Sequence, residues 1–220
     1  MCGRIIIPDE SKISYGLQLK LSTNGTVPEN KNVPPTRPVP VMADNHPDEL
    51  QYFRWSLIPW WAKEVPKFST FNAKVENLHT SGTWRHLIGK KHCVIITDGF
   101  YEWQKMEDKK AKKQPHLIRT HGEQFTLMAG LWDEWTDKGT GEVITSCTII
   151  TKSPNQQMKG IHDRMPAIVT LEQAKIWVND SVSLKSRMLL LNNIPNNRLK
   201  AVPIERVGEI EKYAEMFTYC

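Results

Sequence analysis

The stretch His92-Cys93-Val94-Ile95-Ile96-Thr97-Asp98-Gly99-Phe100-Tyr101-Glu102-Trp103 decides the fold. β-branched and aromatic residues fill it and Asp98-Gly99 interrupts it as a turn signal, so it reads as two short strands, His92–Thr97 and Gly99–Trp103. The same pattern repeats on both sides. Arg4–Ile7, Val39–Met42 and Leu50–Leu57 read as strands upstream. His116–Arg119, Phe125–Trp132, Val143–Thr151 and Leu199–Ile204 read as strands downstream. Helices are fewer. Asp9–Leu21 holds a short one, Thr170 is an N-cap followed by the apolar face of Ala174–Val178, and Ser183–Leu191 is another. Residues 24–38, with Asn-Gly and several prolines, read as irregular loop, because proline removes a backbone donor and fixes φ. The lysine-rich segment Gln104–Gln114 reads as an exposed hairpin loop. The sum predicts an α+β fold: a mainly antiparallel, barrel-like sheet with a few flanking helices. With no βαβ rhythm and no G-x-G-x-x-G, a nucleotide-binding fold is disfavoured.

A length of 220 residues with 40% hydrophobic and 24% charged residues fits one domain spanning residues 1–220 and excludes global disorder. No apolar run approaches the roughly 18 residues of a membrane span. The first ten residues hold three aliphatics, Ile5-Ile6-Ile7, and then turn acidic, unlike a signal peptide. The expected location is the cytosol, or the nucleus in a cell that has one. Four cysteines, at positions 2, 93, 147 and 220, form no C-x-x-C pair, so neither a zinc site nor a disulfide framework is expected. His92-Cys93 reads as the opening of a strand rather than a metal pair. The net charge of +5 permits phosphate binding without identifying it.

Cys2 stands out by position. Aminopeptidase removal of Met1 gives it a free α-amine, and an amine with pKa near 8 beside a thiol near 8.5 is a pair of nucleophiles on adjacent carbons. Such a 1,2-aminothiol forms an imine with an aldehyde and closes to a thiazolidine, or attacks an acyl carbon through sulfur. Three further segments are over-specified for loops: Ser69–Glu76, Asp98–Trp103 and Gly160–Pro166. Glu102 among Phe100, Tyr101 and Trp103 is a carboxylate whose pKa desolvation would raise, which suits acid/base work; an outward Glu on an alternating strand is the ordinary alternative. His162 is a proton shuttle or a loop histidine bonded to Asp163 or to backbone. Asn72 orients a substrate or the Cys2 amine, or merely serves a turn.

Taken together, Met1-Cys2-Gly3-Arg4, Asn32-Val33-Pro34-Pro35, Trp55-Ser56-Leu57-Ile58-Pro59-Trp60-Trp61-Ala62, Phe71-Asn72-Ala73-Lys74-Val75-Glu76, Gly99-Phe100-Tyr101-Glu102-Trp103 and Ile161-His162-Asp163-Arg164-Met165-Pro166 resemble, in order, the signatures of the SOS response-associated peptidase (SRAP) family. The resemblance implies a shield for abasic sites in single-stranded DNA. In it, Cys2 captures the ring-opened sugar as a thiazolidine, Asn72 holds the Cys2 end and the sugar, His162 assists ring opening, and Glu102 shuttles protons through imine formation and reversal. Removal of the residue before Cys2 comes with the family, and strand cleavage from the Schiff base is the lyase reaction that could compete with ring closure. Arg4, Asn32, Trp60, Trp61, Lys74, Thr151 and Arg164 fall where the resemblance places DNA contacts, with stacking for one of Trp60 and Trp61 and core packing for the other. The expected partner is abasic single-stranded DNA, bound by a monomer with no metal, cofactor or membrane.

Three residues depart from the pattern: Lys74 stands for the usual Arg, Ser56 for Gly and Pro34 for Ala. Lys74 keeps the charge and loses the bidentate fork. The competing readings are an N-terminal-nucleophile hydrolase of the glutamine amidotransferase kind, a non-covalent single-stranded DNA or RNA binder, and a cysteine protease. Arg4 and the lack of an Asn-Gly-Glu block weigh against the first.

Overall fold

A computed structural model describes residues 2–21, 25–104, 112–192 and 198–217. Its strands are β1 (Ile5–Ile7), β2 (Lys20–Leu21), β3 (Asn30–Val33), β4 (Pro38–Ala43), β5 (His46–Trp55), β6 (Asn72–Lys74), β7 (His92–Thr97), β8 (Gly99–Gln104), β9 (Gln114–Thr120), β10 (Thr126–Thr136), β11 (Val143–Lys152), β12 (Met165–Pro166), β13 (Ile168–Val169) and β14 (Leu199–Pro203). The helices are α1 (Glu10–Leu17), α2 (Gln156–Lys159), α3 (Leu171–Trp177) and α4 (Leu184–Leu190). Among the described residues no helix is long and apolar enough to cross a membrane.

β11, β10, β7, β4 and β5 pair antiparallel in that order, and a parallel contact of Ser146 with Arg54 and Cys147 with Trp55 joins β11 back to β5. The result is a closed five-stranded barrel in an α+β fold. A second sheet runs β14-β9-β8-β1-β3. Side chains alternate along each barrel strand and so divide between two cores. Val41, Phe53, Ile95, Met128 and Ile149 join Ile5, Phe100 and Ile118 of the second sheet in one core. Met42, Leu50, Ile96, Leu127 and Ile150 meet α1 and α3 in the other.

Local chemistry sets the helices. Asp9 caps α1 by accepting from the Ser11 and Lys12 amides, and Gln18 ends it in a left-handed conformation at φ 56, short of Leu21. Thr170 and Gln173 form a reciprocal capping box on α3. Trp177 of α3 stacks on His92 at 4.0 Å and donates through Nε1 to the carbonyls of Cys93 and Gly130, 3.1 Å each. These bonds fasten the helix to the barrel wall without leaving the indole N–H unpaired.

Two sequence expectations need correction. Asp98-Gly99 is not the turn of a hairpin: β7 belongs to the barrel and β8 to the second sheet, so the chain crosses between sheets there. Gly99 is required by close approach, since a Cβ would lie 2.6 Å from the carbonyl oxygen of Ile118. The loop expected over 24–38 contains β3, because Asn30–Val33 is free of proline and its edge pairs with Ile5 and Ile7. The lysine-rich connection expected at 104–114 lies, over 105–111, outside the described residues; its flanks pair as neighbouring strands, Gln104 opposite Gln114.

Candidate active site

Cys2 precedes the first strand and is only 1% exposed. Three elements from distant parts of the sequence meet it. The first is β6, held parallel to β11 with Asn72 beside Ile149 and Lys74 beside Thr151. Its position is secured by Trp55, whose indole Nε1 donates to the Phe71 carbonyl at 2.9 Å. From there Asn72 Nδ2 donates to the Cys2 carbonyl at 2.8 Å. Asn72 Oδ1 is buried with no hydrogen-bond partner among the described residues.

The second is β8. Alternation puts Phe100 and Glu102 on the face toward Cys2 and Tyr101 on the opposite face, in a separate small core with Trp103 packed against it. Glu102 is therefore inward, 3% exposed. Burial raises its carboxyl to about 7, with the charge of Asp163 adding to the rise. The direction matches the sequence reading. The cause differs in part, because Tyr101 and Trp103 sit on the other face of the strand.

The third is the loop after α2. Asn155 caps that short helix by accepting from the Met158 amide, and the buried Met158 carbonyl accepts from the Ile161 and His162 amides at 2.9 and 2.8 Å. His162 Nε2 thereby lies 3.8 Å from Glu102 Oε2. On the other edge of the ring, Nδ1 is 2.8 Å from Asp163 Oδ1 and 3.0 Å from the Arg164 amide nitrogen. Gln104 Nε2 donates to the Gly160 carbonyl at 3.0 Å, fastening the loop to the end of β8.

Electrostatics couple the group. Burial pushes the Cys2 thiol well up, and a charged Glu102 pushes it further; the Arg4 backbone N–H works in the opposite direction. Cys2 thus sits as a neutral thiol beside a carboxyl poised to exchange a proton near neutral pH. Among the described residues no three His, Cys, Asp or Glu side chains are grouped to hold a metal ion.

Comparison with known sequences decides the family. The sequence profile of "SOS response associated peptidase (SRAP)" matches residues 1–210. The chain belongs to the SRAP family. It is 34% identical over 183 residues to "Abasic site processing protein YoqW" of Bacillus subtilis, covering 81% of this chain and 80% of that one. It is 32% identical over 175 residues to "Abasic site processing protein HMCES" of Xenopus tropicalis, spanning 70% of this chain and only 52% of that protein. A crystal structure of a Bacteroides thetaiotaomicron protein superimposes with a TM-score of 0.81 at 28% identity, covering 93% of this chain and 92% of that chain.

Within this SRAP chain the four residues expected to do chemistry, Cys2, Asn72, Glu102 and His162, converge. The seven expected at DNA divide. Lys74 is exposed, on the same face of β6 as Asn72. Arg4 donates to Asn32 Oδ1 at 3.2 Å, near the surface. Trp60 and Trp61 are both exposed, at 63% and 48%, so the expectation that one of them is core is wrong. The reason is a turn: Ile58 and Ala62 fill the small core against Trp135, Pro59 is buried beside Ile58, and Trp60 and Trp61 turn outward. That turn is anchored by Asp133, a fully buried carboxylate that accepts from the Trp60 amide at 2.8 Å and pairs with Lys91 at 2.9 Å. Thr151 is buried, its hydroxyl donating to the Ala73 carbonyl at 3.4 Å. Arg164 is engaged within the protein, with both terminal nitrogens 2.8 Å from the Glu76 carboxylate and one also 2.7 Å from the Thr151 carbonyl. In this arrangement it ties the His162 loop to β11 and the turn after β6. Sequence reading singled out Asp163 as a partner of His162, and the 2.8 Å contact matches it, but it singled out neither Asp133 nor the Arg164 partner Glu76. Glu76 lies inside a quoted motif, which is the signal that was available.

Proposed function

We propose that this chain captures abasic sites in single-stranded DNA covalently through Cys2. The convergence of Cys2, Asn72, Glu102 and His162 from four separate stretches at one buried place carries the reading. The relatives named for abasic site processing point to the same substrate.

The chemistry runs in three steps. In ring opening, the bond between C1′ and O4′ of the deoxyribose breaks, its electron pair goes to O4′, and O4′ takes a proton from His162 Nε2. Glu102 takes the proton of the C1′ hydroxyl, leaving an aldehyde. With 3.8 Å between them, roughly 0.6 Å beyond hydrogen-bond reach, Glu102 can hand that proton back to His162 after a small shift. In the second step the Cys2 amine, freed by removal of Met1, adds to the aldehyde carbon and water leaves as the imine forms. In the third, the Cys2 sulfur adds to the imine carbon while its proton passes to nitrogen, and the thiazolidine closes. Protonated Glu102 favours this step, because loss of its charge removes one cause of the raised thiol pKa. Asn72 fixes the Cys2 backbone and offers Oδ1 to the amine or a sugar hydroxyl. The imine is a branch point. Loss of a C2′ proton from it leads to strand cleavage, the lyase outcome; in reversal the thiazolidine N–H proton returns to sulfur as the C–S bond breaks, and water hydrolyses the imine so formed.

The exposed residues complete the reading. Trp60 and Trp61 offer faces for base stacking, and Lys74 and Arg4 offer charge to phosphates. Trp60→Ala and Trp61→Ala are each expected to weaken binding to single-stranded DNA by about 1–3 kcal/mol. Because both rings are at the surface, the melting temperature stays near wild type. A fluorescence titration with an intact oligonucleotide, beside a thermal melt, checks both points.

The direct test of capture incubates protein of confirmed Met1 removal with an oligonucleotide bearing one abasic site. An intact oligonucleotide and a Cys2→Ala variant run alongside. A heat-stable protein–DNA band is expected with the abasic strand alone and only when Cys2 is present. No band from the mature protein would contradict the reading and favour an N-terminal-nucleophile hydrolase, tested by ammonia release from glutamine.

A further inference from the structure

The environment of His162 extends the site by one residue. Nδ1 of its ring faces two groups that cannot both be satisfied at once: the Asp163 carboxylate at 2.8 Å and the Arg164 backbone N–H at 3.0 Å. A bare Nδ1 accepts from the amide, and the ring's neutral proton then sits on Nε2. A protonated Nδ1 donates to Asp163, and Nε2 is then the atom that gains and loses protons. Nε2 is the atom that faces Glu102.

We propose that Asp163 is a positioning residue that holds the Nδ1–H form of His162, so that proton traffic with Glu102 and the sugar runs through Nε2. This rests on the abasic-capture reading above and adds a residue to it. The competing amide is why the carboxylate is needed. Without it, the Arg164 N–H selects the other tautomer, in which Nε2 already carries the ring's only proton and cannot take back the one Glu102 holds. Asparagine at 163 makes matters worse, because its amide N–H can also donate to Nδ1 and lock that tautomer. The same logic makes the carboxylate of a catalytic triad sensitive to this substitution. Here the Asp163 side chain is 78% exposed, so solvent screens its charge and a smaller effect follows.

The charged and titratable groups around the ring come from four elements. Glu102 approaches from β8, Cys2 from the segment before β1, and Asp163 with Arg164 from the loop itself. Lys159 of α2 lines the same shallow cleft as His162 and Asp163. Of these, Asp163 is the acceptor at Nδ1, so changing it alters the tautomer and leaves the Cys2–Asn72 contact alone.

The experiment measures adduct formation with an abasic oligonucleotide across pH 5.5–9 for mature wild type, Asp163→Asn and Asp163→Glu. Asp163→Asn is expected to be about tenfold slower at neutral pH, less than the roughly 10²–10⁴-fold a positioned acid–base group supplies, because Asp163 acts through His162 and is screened by solvent. Its rate should fall away at lower pH than that of wild type, because the imidazolium loses its partner. Asp163→Glu, which keeps the carboxylate, should recover most of the rate and the wild-type pH profile. Equal loss in both variants with an unchanged profile, or no loss in Asp163→Asn, overturns the proposal. A wild type that forms no adduct at any pH instead refutes the capture reading itself, so the two failures are distinguishable.

Discussion

Glu102→Gln is expected to slow adduct formation by about 10²–10⁴-fold, the usual contribution of a positioned acid–base group, while making the fold more stable at pH 8. Both effects have one cause. Glu102 is inward and 3% exposed, and burial lifts its carboxyl from 4.5 to about 7. The folded protein therefore binds the proton more tightly than the unfolded chain does. The stability this contributes is fully present below the unfolded value of about 4.5. It is lost as pH rises through about 7, where the buried group must ionise. Gln has nearly the same shape and no charge to bury. Its advantage should be on the order of 2 kcal/mol at pH 8 and close to nothing at pH 4. Denaturant melts at the two pH values, beside adduct kinetics, check the pair of effects. A variant that lost activity and stability together at pH 8 would show Glu102 to be a packing residue instead.

The second large effect is structural. Gly130 lies in β10, paired with Cys93 on one side and Ile149 on the other. A Cβ there would come within 2.5 Å of the Thr148 carbonyl oxygen and 2.5 Å of Ile95 Cδ1, with Cys93 Sγ at 3.1 Å. The carbonyl belongs to the barrel wall and cannot yield without disturbing the β10–β11 ladder. Gly130→Ala is accordingly expected to cost about 3 kcal/mol, the upper part of the usual range for overpacking. Gly82→Ala, where a Cβ meets nothing within 4 Å, is the control and should cost little. Equilibrium unfolding of the two variants decides it. Loss at Gly130 would lower adduct yield only through the folded fraction, because Cys2 is held by β6, β8 and the His162 loop.

The strands were legible because runs of β-branched residues point to a sheet wherever they occur, as in Cys93–Thr97, which is buried at every position. Which sheet each strand joins was not. Asp98-Gly99 carries a hairpin's local chemistry, yet Gly99 answers to Ile118, a contact 19 positions away that no local pattern encodes. The four chemical residues were legible by a different route. Cys2, Asn72, Glu102 and His162 sit in ordered motifs, and the fold places those motifs together. Trp60 and Trp61 show the limit of local reading. Whether a tryptophan is core or surface depends on which neighbours enter the core first, and here Ile58 and Ala62 do. Ser56 is a further case. It stands where the family pattern has glycine and holds φ at 144, a conformation side-chain-bearing residues rarely adopt. Its hydroxyl lies 2.9 Å from Thr70 Oγ1, a hydrogen bond that glycine could not make. The pairing of Asp163 with His162 was legible from their adjacency, but the ring nitrogen it meets was not, and Glu76 was hidden because its role depends on a guanidinium seen only in three dimensions.

The central claim is the bond made by Cys2, and mass measurement of that bond tests it most directly. Mature protein reacted with an abasic oligonucleotide is digested, and the peptide beginning at Cys2 is weighed with its attached nucleotide, with and without prior borohydride. A thiazolidine is expected: peptide plus abasic fragment less one water, unchanged by borohydride because no C=N bond remains to be reduced. A mass two hydrogens heavier after borohydride, or attachment at a lysine instead of Cys2, would contradict the account and leave an ordinary Schiff base in its place.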